Sequence, residues 1–188
     1  MLLELVERLG NLMRSELRKA GADESLQPVH LQALVYLSRA NRYSNTPQAL
    51  ADYLGLTKGT VSQTLLLLDR RGLIERFEDD IDRRVVRLRL SSAGEQFLAE
   101  SQPALPWQNA TRNISPNRIR NATSALREAL VTLQQDNEGS LFGVCHNCAW
   151  SQKLSQRISR CGLMGDRLSG PETRRICWLY RARTEETG

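Results

Sequence analysis

The sequence predicts a mainly α-helical fold with one small β-hairpin, followed by a small cysteine-rich segment. Apolar residues recur at helical spacing through most of the first 135 residues, and two short stretches near residue 80 alternate as strands do. All four cysteines lie beyond residue 144. A chain of 188 residues is long enough for one core of about 140 residues and an appendage. We therefore expect two units, residues 1–137 and residues 138–188.

Bulk composition is that of a water-soluble protein, with 40% apolar and 25% charged residues. The net charge of +5 is compatible with nucleic-acid binding without demonstrating it. Acids at Glu4 and Glu7 interrupt the N-terminus, unlike a secretory signal, and no run reaches the roughly 18 apolar residues of a membrane span. We expect a cytoplasmic protein without membrane association, where grouped cysteines bind metal more often than they form disulfides.

Four helices are predicted before residue 73. Their apolar residues keep the helical period, and glycine or proline marks their ends. The expected helices cover residues 2–20, residues 27–39, the short segment from Pro47 to Gly55, and about residues 58–71. Thr57 is the expected N-cap of the last of these.

Two strands are predicted at residues 73–78 and 85–90, joined by a charged loop. The second strand alternates, which places three apolar side chains inside and two arginines outside: Val86, Leu88 and Leu90 against Arg87 and Arg89. A basic loop between two short strands after a helix pair is typical of a wing.

Two further helices are expected after the hairpin. The first begins at Ser91 and Ser92, buries Phe97, and is broken or kinked by prolines at Pro103 and Pro106. A final long helix should run from about 116 to 135, because Ser115 can cap it and proline is favoured at the first helical position. Residues 136–140 have the composition of a linker.

Residues 50–63 have the pattern of a helix-turn-helix. Ala51 is small enough for two helices to cross closely, and Gly55 suits the positive φ of the tight turn. Small and amide side chains at the start of the second helix can approach base edges, while its N-terminus and a lysine can hold a phosphate. The candidate DNA-binding residues of this helix are Thr57, Lys58, Gly59, Thr60, Ser62 and Gln63. The alternative is an ordinary pair of surface helices.

The hairpin adds a second group of candidate DNA-binding residues: Asp82, Arg83, Arg84 and Arg87. A wing places arginine along the backbone or in the adjacent minor groove. Asp82 can form a bidentate ion pair with Arg84 and so fix its guanidinium group. Arg83 and Arg87 are expected to contact phosphates. The alternative is a solvated, charged hairpin tip.

These segments resemble the MarR (multiple-antibiotic-resistance regulator) family of winged helix-turn-helix transcription factors. The matching pieces are residues 50–62, Leu73-Ile74-Glu75-Arg76, and residues 82–94. The resemblance covers about residues 1–137. It implies a homodimer built from the first and last helices of that region, with one winged helix per subunit in successive major grooves of double-stranded DNA. It also implies that Arg84 is the minor-groove arginine and Asp82 its positioner. Ser91 stands where threonine is commoner in the family.

A dimer is also expected on physical grounds. One recognition helix makes too few contacts for tight specific binding, whereas two helices about 34 Å apart can read a pseudo-palindromic operator. The first helix and the helix at 116–135 carry more apolar surface than a winged helix needs to cover itself.

The four cysteines follow the spacing Cys145-x2-Cys148-x12-Cys161-x15-Cys177. A C-x2-C turn can place two thiolates on one metal centre. Structural zinc sites usually combine two close pairs, whereas iron–sulfur clusters accept ligands from separate segments. An iron–sulfur cluster is therefore favoured, zinc is the alternative, and thiol–disulfide switching is a third reading. Nearby apolar residues, among them Trp150, Leu163, Met164 and Leu179, are expected to shield the centre. The segment also resembles cysteine-rich tails of some regulators of this family.

The predicted function is a dimeric DNA-binding regulator whose DNA affinity is controlled by the cysteine centre. Because the cysteine segment follows the last long helix, we expect it to act through that helix. The main alternative is a regulator that responds to a small-molecule effector and has a purely structural zinc site. An electron carrier or an enzyme is a remote alternative, since the sequence shows no nucleophile–base pair and no phosphate-binding loop.

Overall fold

The computed structural model describes residues 1–102, 105–136 and 141–183. The helices are α1 (Leu2–Ala20), α2 (Pro28–Arg39), α3 (Pro47–Leu54), α4 (Lys58–Arg70), α5 (Ser92–Ser101), α6 (Leu105–Thr111) and α7 (Pro116–Asp136). The strands are β1 (Ile74–Glu78), β2 (Val86–Leu90), β3 (Ser151–Lys153), β4 (Ile158–Cys161) and β5 (Arg167–Ser169), with single 3-10 turns at Cys145–Asn147 and Glu172–Arg174. The predicted helices and the wing strands are confirmed to within two residues. Pro103 and the linker residues 137–140 lie outside the described residues.

The main core lies between α2, α3, α4 and the hairpin. Apolar residues at helical spacing on α2 and α4 meet there because each helix has only one strongly apolar side. Its fully buried large side chains include Leu31, Leu34, Tyr36, Leu50, Leu65 and Leu68. Each such leucine stabilises the fold by roughly 1.5–3 kcal/mol through burial. The hairpin is thereby held on a rigid helical base.

The hairpin is antiparallel and places Ile74 opposite Leu90 and Arg76 opposite Leu88. Ile74 and Leu88 are buried against the main core, and for Leu88 the alternation predicted this. The expectation that Val86 lies inside was wrong, since its side chain is 40% exposed. Val86 pairs with Glu78 at the loop end of the hairpin, where both residues are exposed.

Two long helices leave apolar faces open in the single chain. None of the residues of α1 is buried. On α7 the three leucines of the predicted stripe, Leu126, Leu130 and Leu133, are 48%, 50% and 60% exposed. Open apolar faces of this size mark surfaces that another protein covers. None of the described helices combines the length and apolar character needed to cross a membrane.

The cysteine-rich segment forms a small three-stranded antiparallel sheet in the order β3-β4-β5. Single bridges tie its ends together, Gly143 with Cys177 and Cys148 with Ala182. A glycine is required at 143, because a side chain there would collide with the ring of Tyr180. We call residues 141–183 the tail. The tail is anchored to the helical core through a parallel bridge between Ile176 and Ala40, just after α2.

Candidate DNA-reading surface and cysteine site

Both helices of the helix-turn-helix have a threonine as N-cap. Thr46 and Thr57 each accept a hydrogen bond from the backbone N–H three residues on, at 3.2 Å, which satisfies one free donor at the start of α3 and one at the start of α4. Gly55 has φ 63°, the left-handed conformation that the turn requires. The predicted Thr57 cap and the Gly55 turn are confirmed.

The predicted reading residues of α4 share one exposed surface. Thr57, Lys58, Gly59, Thr60, Ser62 and Gln63 are all exposed, while Val61, Thr64 and Leu65 face the core. The first turn of α4 contains no acidic residue. The positive end of the helix is therefore free to approach a phosphate, beside small side chains that allow close contact with base edges.

The wing arginine is held by the bidentate ion pair that the sequence predicted. Arg84 donates from Nε to Asp82 Oδ1 at 3.0 Å and from Nη2 to Oδ2 at 3.1 Å, and its backbone N–H also binds Oδ1. The Arg84 side chain is 91% exposed. Hydrogen bonds from Arg84 lower the pKa of Asp82, so the pair stays ionised at neutral pH. The guanidinium is thus oriented and open to a ligand; Arg83 is exposed beside it.

Arg87 was expected to point outward, and that expectation was wrong. Its side chain is only 17% exposed and pairs with Asp79, with 2.7 Å between Nε and Oδ2. Its Nη1 donates to the Arg42 carbonyl at 2.8 Å and to Asn45 Oδ1 at 3.2 Å. The residue is turned inward because three acceptors meet near the loop end of the hairpin. A phosphate contact by Arg87 stays a prediction, and its side chain has a structural use already.

The four cysteines line one cavity, although they come from four separate points of the tail. Cys145, Cys148 and Cys177 are buried, Cys161 is half-buried, and all four are free thiols. The structure thus brings the four cysteines to one cavity, and metal binding by them stays a prediction. The remaining walls are formed by Tyr43, Trp150, Ser151, Leu168 and Leu179.

Burial governs the protonation of these thiols. It raises the pKa of Cys145 to about 12, with a further rise from the neighbouring cysteines, and it also raises the pKa of Cys177. Both thiols are protonated at neutral pH in the absence of a metal. A thiophilic metal binds the thiolate, so loading this site releases protons.

Among the described residues, no three His, Cys, Asp or Glu side chains are placed so as to hold one metal ion. The cavity between the cysteines is small, with a volume of about 10 Å³, so its walls must move outward to admit a cluster. The four-thiol donor set fits either an iron–sulfur cluster or zinc.

Two details of the predicted shell were wrong. Leu163 and Met164 are 47% and 45% exposed and lie outside the cavity wall. Leu168, which sequence reasoning did not select, is buried in the wall because it faces inward from β5. His146 is exposed, which agrees with a position outside the ligand set.

One residue of the cavity comes from the winged helix itself. Tyr43 lies between α2 and α3, and its hydroxyl donates to Asp166 Oδ2 of the tail at 2.6 Å. Its neighbour Arg42 forms an ion pair with Glu172 of the tail. Sequence reasoning missed Tyr43; the only signal was an aromatic residue within the polar segment 41–45.

Comparisons with known proteins identify a family and solved structures to which this chain is similar. The sequence model of the MarR family matches residues 25–85. The transcriptional repressor MprA of Escherichia coli strain K12 is 27% identical over 140 residues, which cover 71% of this chain and 74% of the repressor. A MarR family transcriptional regulator from Silicibacter pomeroyi DSS has a similar structure, with a TM-score of 0.64, 28% identity, and coverage of 72% of this chain and 91% of that chain.

A DNA complex is also among the similar structures. The MepR–DNA complex from S. aureus has a TM-score of 0.57 at 20% identity, covering 70% of this chain and 98% of that chain, which shows the shared fold. The three relatives leave more than a quarter of this chain without a counterpart.

Proposed function

We propose that this chain, which is similar to MarR-family winged-helix transcription regulators, is itself such a regulator. It is proposed to work as a dimer whose affinity for a specific operator is controlled by a four-cysteine iron–sulfur centre. Regulators of this family bind DNA and are not enzymes. The observation that carries the proposal is the convergence of all four cysteines on one cavity whose wall includes Tyr43 of the winged helix.

The dimer is supported by the open apolar faces of α1 and α7. A second copy of the chain is the occupant proposed for these faces, since a twofold axis places like helices against each other. Two winged helices are then available for a pseudo-palindromic operator of double-stranded DNA. Small and polar residues at the start of α4 read base edges, and Arg84 enters the minor groove from the wing.

The cysteine centre is proposed to involve Cys145, Cys148, Cys161 and Cys177 as ligands. An iron–sulfur cluster bound there would change its charge on oxidation and could be lost when iron is scarce. Trp150, Leu168 and Leu179 exclude water from one side of the cavity, which stabilises a bound centre against hydrolysis.

The alternative is a structural zinc site beside a regulator that senses a small molecule. The same four thiols also suit zinc, because structural zinc sites are commonly formed by four cysteine thiolates. Anaerobic purification with metal analysis separates the two. A brown protein that absorbs near about 400 nm and contains iron and sulfide supports the cluster. A colourless protein with one zinc per chain supports the alternative.

The decisive test compares metal-loaded and metal-free protein on DNA. A duplex selected from a random library with the metal-loaded full chain serves as the operator. We expect the two forms to differ by about 1–3 kcal/mol in operator binding, measured by fluorescence anisotropy at fixed salt. If both forms are folded dimers and bind the operator equally well, the centre does not control DNA binding and has a structural role only.

A further inference from the structure

Residues 40–46, which we call the connector, lie between the cysteine tail and the wing. On the tail side, the Asn41 backbone donates to Ile176 O at 2.9 Å and the Trp178 backbone donates to Ser44 Oγ at 2.7 Å. Tyr43 reaches farther and lines the cysteine cavity. The tail therefore contacts most of the connector. This attachment is a different route from the one through α7 that the sequence suggested.

On the other side, the same connector holds the hairpin. The Leu88 backbone donates to Asn45 O at 2.8 Å. The Arg87 guanidinium binds the Arg42 carbonyl and the Asn45 side chain from a position that is largely shielded from water. Two residues of β2 thus take their position from the connector.

The contact extends from Arg87 into the loop that carries the minor-groove arginine. Asp79 accepts from Arg87 through Oδ2, and its Oδ1 accepts the backbone N–H groups of Ile81 and Asp82 at 2.9 and 3.0 Å. Asp82 in turn holds Arg84. Every step from Tyr43 to Arg84 is therefore a hydrogen bond, an ion pair or a short stretch of connector backbone.

The connector moves as one piece because it is bonded internally. Asn41 Oδ1 accepts from the Tyr43 backbone at 3.1 Å and from Ser44 Oγ at 2.7 Å. Buried Tyr36 of α2 donates from its hydroxyl to Ser44 O at 2.7 Å. A displacement of Tyr43 is thus passed to Asn45 rather than absorbed by a flexible loop.

We propose that Tyr43 and Arg87 are positioning residues through which the cysteine cavity sets the orientation of the wing. This inference rests on the proposed function. A cavity that opens to hold a metal centre displaces the Tyr43 ring and the attached connector. Arg87 transmits the displacement to Asp79, and the loop presents Arg84 to the minor groove at a different angle. The sensing signal then reaches DNA through the wing.

The first test is Tyr43→Phe, which keeps the ring in the cavity wall and removes only the bond to Asp166. Its matched control is Tyr180→Phe in the same small core, whose hydroxyl makes no hydrogen bond to the connector among the described residues. We expect Tyr43→Phe to retain the metal content and absorbance spectrum of the parent. The ratio of operator affinities between metal-loaded and metal-free forms should fall at least about threefold toward one. The control should keep the parent ratio.

The second test is Arg87→Gln, read through salt dependence. A positioning residue lowers operator affinity by roughly tenfold and reduces the metal-dependent ratio, while the slope of log K against log salt stays unchanged. A phosphate contact instead flattens that slope by about 1.8, which is about 0.9 for each of the two subunits, and leaves the ratio intact. The second outcome would assign Arg87 to the DNA backbone and overturn the proposed route.

The outcomes also separate this inference from the function on which it rests. If the parent protein binds the operator equally in both metal states, the proposed function fails. If the parent shows a difference that Tyr43→Phe and Arg87→Gln both preserve in full, the route is wrong and the function stands. If Tyr43→Phe only lowers the melting temperature and leaves the ratio of operator affinities unchanged, the route is likewise wrong and the function stands.

Discussion

The winged helix and the tail are built on different physical principles. The main core contains fourteen buried apolar or aromatic residues, contributed by α2, α3, α4, the hairpin and the segments beside them. The small core has four buried members, of which two are cysteines and one is Tyr43 from the connector. Apolar burial is sufficient to order the first region. The tail buries too little apolar surface of its own to fold alone, as is usual below about 40 to 50 residues.

We therefore expect the order of the tail to depend on its docking against the connector and, if its thiols bind a metal as proposed, on that metal. A region with such a dependence can report the state of its ligand.

The largest expected effect is on metal retention. Cys145→Ser should reduce the metal content to below about a tenth of one centre per chain, because a three-ligand remnant leaves an open coordination position. His146→Asn is the matched control, since His146 neighbours the cysteine but is exposed. Metal analysis of both purified variants provides the measurement. Full metal content in the Cys145 variant would remove this residue from the ligand set and weaken the contrast between the regions.

The second prediction concerns the open face of α7. Leu126→Asp with Leu130→Asp should convert the dimer to monomer, because each buried leucine contributes roughly 1.5–3 kcal/mol and a twofold interface loses the pair twice. Arg118→Gln, at an exposed position of the same helix, is the control. Sedimentation velocity gives the oligomeric state. A variant that remains dimeric would show that another surface holds the subunits together.

The third prediction isolates the wing. Arg84→Ala should weaken operator binding by about 1–3 kcal/mol and leave the melting temperature nearly unchanged, because the side chain is exposed and has a single local partner. Lys19→Gln on α1, also an exposed cation in a local ion pair, is the control for net charge. Equal operator affinity of Arg84→Ala and the parent at matched salt contradicts the minor-groove assignment.

The smallest expected effect is a loosening of the tail in acid. Partial burial opposes ionisation of Glu172, but hydrogen bonds from Ser169 and from Arg42 outweigh it and lower its pKa to about 2. Because the folded pKa lies below the ordinary 4.5, the stabilisation is complete above pH 4.5 and is lost as the pH falls toward 2. In metal-free protein, Trp178 fluorescence should report undocking over that interval. Glu172→Gln should remove most of this pH dependence, and an unaltered titration in that variant would assign it to other carboxylates.

How far the sequence predicted the fold depends on the region. The first helices and the wing were predictable because several local signals mark the same boundaries. The apolar period ends where Gly55 makes the turn, and it resumes where Thr57 caps the next helix. The strands of the tail have only three or four residues, too few to show alternation. The inward turn of Arg87 depends on acceptors as distant as Arg42, which no local pattern reveals.

The candidate site was predictable in the same uneven way. The cysteines are rare and chemically distinctive, so their grouping followed from spacing alone. Tyr43 could not be found, because its place in the cavity comes from docking of the tail onto the connector. The wing ion pair was found because Asp82 and Arg84 are two residues apart.

The bond between Tyr43 and Asp166 spans 123 positions of the chain, and this separation has a consequence for the order of folding. Contacts so distant in sequence form late, since the intervening polypeptide must be ordered before their entropy cost falls. During synthesis the winged helix leaves the ribosome well before Cys177, and domains generally fold as they emerge. The cysteine cavity is therefore the last part to assemble. If the cavity binds a metal as proposed, a molecule made while that metal is scarce would reach the cell with its DNA-reading half complete and its cavity still open to the next available ion.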